Sequence, residues 1–291
     1  MGADLAIPLP AATAGAGLLG LVVGSFLNVV IHRLPRGESL VRPGSRCPAC
    51  GRPIRPLENI PVLSYLALRG RCRGCGTRIP PRYPAVELAC GLLFALVILR
   101  FGVGPAAGMH AVLGALLLAA AVIDLDHRII PDELSLGGLL LGLGLVPAAA
   151  WLEGHPWLPA LLRSGLGAVV GGGVLWTVGF LHARASAAAG RRFEHWPGEG
   201  QDLPRPGELD YWIWFPGLGF GDVKLMAMIG AFLGPAGVLE TVVLASLLGV
   251  VFGLLTAAVR RSLAVPFGFG PAIAAGALLV ALSPVRLLPF S

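Results

Sequence analysis

The sequence predicts an all-α, polytopic membrane protein of about eight transmembrane helices, with a small cytoplasmic zinc-ribbon-like domain after the first helix. Three observations predict it. The 291 residues are 55% hydrophobic and only 13% charged, with a mean hydropathy of +0.78. Several apolar runs reach the ~20 residues that a bilayer span needs, and they are continuous rather than alternating, which favours helices over a β-barrel. Residues 32–82 break this pattern, with eleven Arg, eight Pro and two C-x-x-C pairs, and no run there could span a membrane.

The first span covers residues 11–31 and makes up, with the start of the chain, a unit at 1–31. No basic residue precedes its apolar run, unlike a usual signal peptide. Gly20 and Gly24 lie four apart in it, which permits close helix approach. Asn28, near its end, either hydrogen-bonds a neighbouring helix or serves function, and Pro35 stops the helix. Residues 32–83 form the second unit. It is too small to rely on an apolar core, and the spacing Cys47-x2-Cys50 then Cys72-x2-Cys75 is that of a closed four-thiolate zinc site. Residues 84–291 form the third unit, with spans at 84–100, 105–123, 134–152, 159–181, 222–234, 237–259 and 268–288. A polar loop at 182–214 interrupts it, carrying Arg184, Arg191 and Arg192 among several acids, with Trp196, Trp212 and Trp214 suited to a membrane interface. Gly234-Pro235-Ala236-Gly237 reads as a turn between two spans.

Charge orients this arrangement. With the N-terminus outside, the inner segments and helix ends carry nineteen of the 22 Lys+Arg, leaving Arg100, Arg163 and Arg286 outside. The net charge of +6 therefore reads as positive loops on one face of a bilayer and not as a nucleic-acid surface. Cys90 reads as packing, His110 as an interface residue, Glu240 as reaching interfacial water, and Arg260 and Arg261 as topological anchors.

Two acidic stretches remain. Asp124 and Asp126 close the third span, and Asp222 opens the short sixth one inside Gly219-Phe220-Gly221-Asp222-Val223-Lys224. Ionisable groups at membrane depth are costly and generally functional. Side chains at i and i+2 of a helix point about 200° apart, so at most one of Asp124 and Asp126 can face Asp222, and Asp124 lies nearer the apolar run. Two close carboxylates share a proton, so one can activate water while the other hydrogen-bonds a peptide carbonyl, which is aspartic peptidase chemistry. Gly219 and Gly221 would admit an extended peptide backbone. Alternatively, Asp222 pairs with Lys224 or caps its own helix, and a proton-coupled transporter or an assembly protein would use the same acids. Asp132 reads as a helix N-cap. Glu87 either holds the start of its helix through the dipole or lines the active site.

The motifs together resemble the bacterial type IV prepilin peptidases, bifunctional leader peptidases and N-methyltransferases of the GxGD aspartic class. The matching stretches are 24–29 (Gly-Ser-Phe-Leu-Asn-Val), 45–50 with the first cysteine pair, 58–61, 68–72, 82–87, 124–132 and 219–224, in the family's order. The resemblance implies that Asp124 and Asp222 are the catalytic aspartates, with Gly219, Gly221, Lys224, Asp126 and Glu87 in support. It implies cleavage of a prepilin or pseudopilin with a basic leader, after glycine on the cytoplasmic side of the inner membrane. Methylation of the new N-terminus from S-adenosylmethionine would follow, in service of a type IV pilus or type II secretion. The family places methylation with the cysteine domain, which makes Gly70 a contributor. No G-x-G-x-x-G loop marks a soluble-enzyme route to the methyl donor. The loop at 182–214 is longer than the family leads one to expect, and Pro80-Pro81 replaces more usual polar residues before Arg82.

Overall fold

A computed structural model describes residues 7–191, 202–260 and 268–284 of the chain. Arg192, Trp196, Arg261 and Arg286, assigned above by composition, lie outside the described residues. The elements in order are α1 (Leu9–Arg33), α2 (Leu63–Ala67), α3 (Arg82–Phe101), α4 (Pro105–His127), α5 (Asp132–Leu152), α6 (Trp157–Ala188), α7 (Asp210–Ile213), α8 (Phe220–Arg260) and α9 (Gly270–Leu282). Among the described residues there are no strands beyond three isolated bridges.

Six of these helices are long and apolar enough to cross a membrane: α1, α3, α4, α5, α6 and α8, with α9 shorter. The expected separate spans at 222–234 and 237–259 are the two arms of α8. The helix breaks at Gly234, whose φ of 74° and ψ of 178° are non-helical, and Pro235 starts the second arm. The polar stretch begins later than expected, because residues 182–188 continue α6.

Small residues decide how the helices pack, as they must where lipid offers no hydrophobic drive between them. At Gly24 of α1 a Cβ would lie 2.7 Å from Glu87 Cα, and at Gly20 one would lie 2.6 Å from the Cys90 carbonyl, so α1 and α3 touch backbone to backbone. Cys90 is fully buried in that seam. Along α6, Gly167 meets Gly230 and Gly234, and Gly171 meets both Met226 and Val238. The arms of α8 therefore run back to back along the same helix. Ser164 fixes the contact by donating to the Ala231 carbonyl at 2.6 Å. α4 occupies the middle, with Leu113, Leu117 and Ile123 fully buried among α8 and α9 residues such as Ile229 and Ile273.

This packing makes a prediction with an internal control. A Cβ at Gly167 would fall 2.7 Å from Gly234 Cα and overlap the Gly230 carbonyl, whereas at Gly165 it would meet nothing within 4 Å. Gly167→Ala should destabilise the chain by about 1–3 kcal/mol. Gly165→Ala should be neutral or slightly stabilising, since Ala is the better helix former. Thermal unfolding in detergent micelles checks both, and equal behaviour of the two would contradict the helix seam.

Candidate active site

Asp124 stands in the last turn of α4. The helix then ends at Arg128, whose left-handed φ of 55° turns the chain away while its N–H closes on the Asp124 carbonyl. The next residues lead to Ile130, which is buried against Gly221: a Cβ on that glycine would lie 3.2 Å from Ile130 Cβ. The connection from α4 to α5 thus lies directly on the turn that opens α8. Asp222 is in the first turn of α8, where its own N–H donates to the Gly219 carbonyl at 3.0 Å. Asp124 and Asp222 are only 5% and 8% exposed, at the two ends of the contact between Ile130 and Gly221.

Sequence reasoning missed a third strand of chain at this point. The Gly270 N–H, at the start of α9, donates to Asp124 Oδ2 at 2.9 Å. A Cβ at Gly270 would lie 2.8 Å from that oxygen, and one at Gly268 would also collide with the carboxylate. The signal was present as Gly268-Phe269-Gly270-Pro271, a glycine pair ahead of an apolar run like the one around Asp222. It was absorbed into the last span.

The neighbouring charges pair outward. Asp126, on the other side of α4, forms an ion pair with Arg82 at the start of α3. Lys224 does not pair with Asp222: it reaches Asp132 on α5. Asp132 is accordingly not an N-cap, since Pro131 holds that position and no side chain caps the helix. These two ion pairs brace α3, α4, α5 and α8 around the buried carboxylates.

The loop before Asp222 is fastened to α6 by aromatic groups. Trp176 stacks on Phe180 with ring centroids 4.9 Å apart, and Phe180 stacks on Trp212 at 5.4 Å. The Trp176 indole N–H donates to the Trp212 carbonyl at 2.8 Å, and the Arg184 guanidinium lies 3.8 Å from the Tyr211 ring centre. Phe215 is buried against Gly179, where a Cβ would come within 2.6 Å of its ring. The Gly217–Gly219 turn thus starts from a fixed point.

Cys47, Cys50, Cys72 and Cys75 bring their four sulfur atoms within 4.8 Å of one another. Two similar knuckles present them. The Gly51 N–H closes on the Cys47 carbonyl and the Gly76 N–H on the Cys72 carbonyl, with positive φ at both glycines. Glu58 ties the knuckles together through Arg52 at 2.8 Å and Arg73 at 3.6 Å, and the Arg52 hydrogen bond holds its carboxyl below the usual carboxylate range. Hydrogen bonding from the Thr77 hydroxyl pulls the Cys75 thiol down to about 6. A tetrahedral zinc with Zn–S bonds near ~2.3 Å sets its sulfur atoms ~3.8 Å apart. Cys47 and Cys75 stand at 3.8 Å, so the donor set fits that ion.

The other expected residues are placed as follows. Gly70 has φ of 65°, and a Cβ there would lie 3.0 Å from the Tyr65 ring. Glu87 accepts a hydrogen bond from the Val62 amide in the cysteine domain. Its bond is neither to the start of α3 nor to the carboxylate pair. Asn28 donates to the Tyr83 carbonyl at 3.0 Å, while its Oδ1 is buried without a hydrogen-bond partner among the described residues. Glu240, expected at interfacial water, is 4% exposed and lines a cavity of about 460 Å³ at the other end of the bundle. His110 lines the same cavity, stacked on Phe101 at 4.0 Å.

Residues 18–101 match the family model described as the bacterial peptidase A24 N-terminal domain, and residues 111–254 match the type IV leader peptidase family. Several curated proteins named prepilin leader peptidase/N-methyltransferase are similar to the chain. One from Myxococcus xanthus is 41% identical over 82% of this chain and 61% of its own length. One from Stutzerimonas stutzeri is 37% identical over 88% of this chain and 86% of its own length. One from Pseudomonas aeruginosa is 38% identical, covering 88% and 85%. No solved structure matches the chain.

Proposed function

The chain belongs to the type IV leader peptidase family, and we propose that it cleaves the leader of prepilins or pseudopilins and then N-methylates the new N-terminus. What supports the first activity is the burial of both Asp124 and Asp222 at the end of the bundle that bears the cysteine domain, where the chain after Asp124 packs on Gly221. Cleavage by such a pair requires one proton shared between the two carboxylates. The ionised member takes a proton from the attacking water, and the other donates to the scissile carbonyl. Gly268 and Gly270 give their side-chain space to the Asp124 carboxylate, whereas a Cβ at Gly217 would meet nothing within 4 Å and one at Gly219 would stay 3.6 Å from Asp222 Oδ2. An extended substrate segment would approach on the Gly217–Gly219 side.

The charge distribution supports an inner-membrane protein with this end facing the cytoplasm and the N-terminus outside, which is where a basic leader would approach. The cysteine domain at 32–83 would hold a structural zinc through Cys47, Cys50, Cys72 and Cys75, stabilising a segment too small for an apolar core. The methyl group comes from S-adenosylmethionine, which supplies an electrophilic carbon to the amine. The buried, unsatisfied Oδ1 of Asn28 suits an amino group of that donor, at the junction of α1, α3 and the cysteine domain. A transporter or assembly role is not favoured: both acids sit at one end of the bundle, and the similar proteins carry enzyme names.

Purified chain in lipid vesicles, given a prepilin and S-adenosylmethionine, should yield a product cut after glycine with one added methyl on its first residue. Mass spectrometry of that N-terminus decides. An uncut substrate rejects the peptidase, and a cut but unmethylated one rejects the second activity.

A further inference from the structure

Glu87 is a buried carboxylate in α3 that the cleavage chemistry does not use. Its Oε2 accepts a 2.7 Å hydrogen bond from the Val62 amide, which lies in the cysteine domain at the start of α2. Val62 has φ of 60° and ψ of −48°, and Leu63 N–H closes on the Pro61 carbonyl at 2.6 Å. Val62 is therefore the centre of a γ-turn with positive φ, a strained conformation that a β-branched residue adopts rarely. Such strain persists only where the surroundings impose it. Here the charge-assisted bond to Glu87 imposes it. On the cysteine side, Ser64 pins the approach by accepting from the Ile60 amide at 2.8 Å and donating to the Leu57 carbonyl at 3.0 Å.

From Val62 a short, bonded path leads to the cysteines. α2 carries Tyr65, whose ring covers Gly70. The Gly70 N–H returns to the Tyr65 carbonyl at 2.9 Å, and the Gly70 carbonyl receives the Ile79 N–H at 2.8 Å. The adjoining Arg71 and Arg78 form the bridge at the base of the second knuckle. Every link in this path is a backbone bond or a close packing contact, so Val62 is tied through α2 to the second knuckle.

We infer that Glu87 is a positioning residue for methylation: it docks the cysteine domain onto α1 and α3 through the Val62 amide, and leader cleavage does not depend on it. The inference rests on the two-activity reading above. Glu87→Ala removes the acceptor. Glu87→Gln keeps an oxygen that can receive the Val62 N–H, without the charge.

The test uses the full chain in vesicles, with prepilin and S-adenosylmethionine, scoring both steps by mass spectrometry. Glu87→Ala should cleave within about twofold of the parent, yet form methylated product about tenfold more slowly or worse, as expected for losing a buried bond to a charged group. Glu87→Gln should recover most of that loss. Hydrogen–deuterium exchange gives a readout independent of activity: amides 57–70 should exchange faster in Glu87→Ala than in Glu87→Gln, with zinc content unchanged in both. Undiminished methylation in Glu87→Ala, an equal fall in both steps, or unaltered exchange at 57–70 would overturn the inference. If the parent chain itself does not methylate, the two-activity reading fails separately, and the exchange result alone then accepts or rejects the docking role.

Discussion

Asp124→Asn and Asp222→Asn should each slow leader cleavage by about 10³-fold or more, while the protein accumulates and folds. The loss follows from the pairing. An amide at either position cannot share the proton, so neither water activation nor carbonyl protonation can be completed by the remaining acid. The substitutions are nearly isosteric, and the Gly270 amide can still find an oxygen at position 124, so the packing of α4 on α9 should survive. The double variant should be little worse than either single one, because groups that act as a unit are non-additive. Asp126→Asn is the control: it weakens the ion pair with Arg82 at the half-exposed side of α4 and should cost only a few-fold. Cleavage assays on membranes with matched protein levels measure all four. Full cleavage by either single variant would remove the pair from the mechanism, and loss at Asp126 without loss at Asp124 would move the role within the motif.

How much of this site could be read from the chain depends on the kind of signal each residue leaves. The Asp124 and Asp222 stretches stand out because a carboxylate in an apolar run has no cheap alternative, while helix geometry allows only one of Asp124 and Asp126 to face Asp222 and the apolar run favours Asp124. The two cysteine pairs were equally legible, since their spacing encodes the knuckle. Partners were not. Lys224 is two residues from Asp222, and proximity in sequence suggested a pair that the helix forbids; the cation instead reaches Asp132 across an interface. The same interface decides that Asp132 serves the ion pair and not a cap. Glu87 left two open readings, the start of its own helix or the active site, whereas its bond runs to a strained turn of another unit. Gly268 and Gly270 were hidden because a glycine at the edge of an apolar run looks like a span boundary until the carboxylate that needs the space is found. The turn at Gly234-Pro235 was legible, but hydropathy could not say that it folds two arms onto one face of α6.

Removing the metal should separate the two activities more sharply than any single packing change. The segment at 32–83 has only a five-residue α2 and two short 3-10 turns as regular structure, so its fold depends on whatever joins its two knuckles. Four thiolates on one ion would supply that link, and without it a segment of this size would have little left to hold it. Cys72→Ser, or exhaustive chelation, should therefore lower bound zinc from about one per chain to near zero. It should also raise exchange throughout 32–83 and abolish methylation. Cleavage should persist at a substantial fraction of the parent rate. The reason is that the seam between α1 and α3 is made by Gly20 and Gly24 against Cys90 and Glu87, and the carboxylates are held by α4, α8 and α9. Neither set of contacts passes through Cys47, Cys50, Cys72 or Cys75. Readded zinc should restore methylation to the chelated parent but not to Cys72→Ser. Zinc-free parent protein that methylates fully would show that the thiols serve another purpose. Loss of cleavage together with methylation would show that the cysteine domain is part of the peptidase and not an attachment to it.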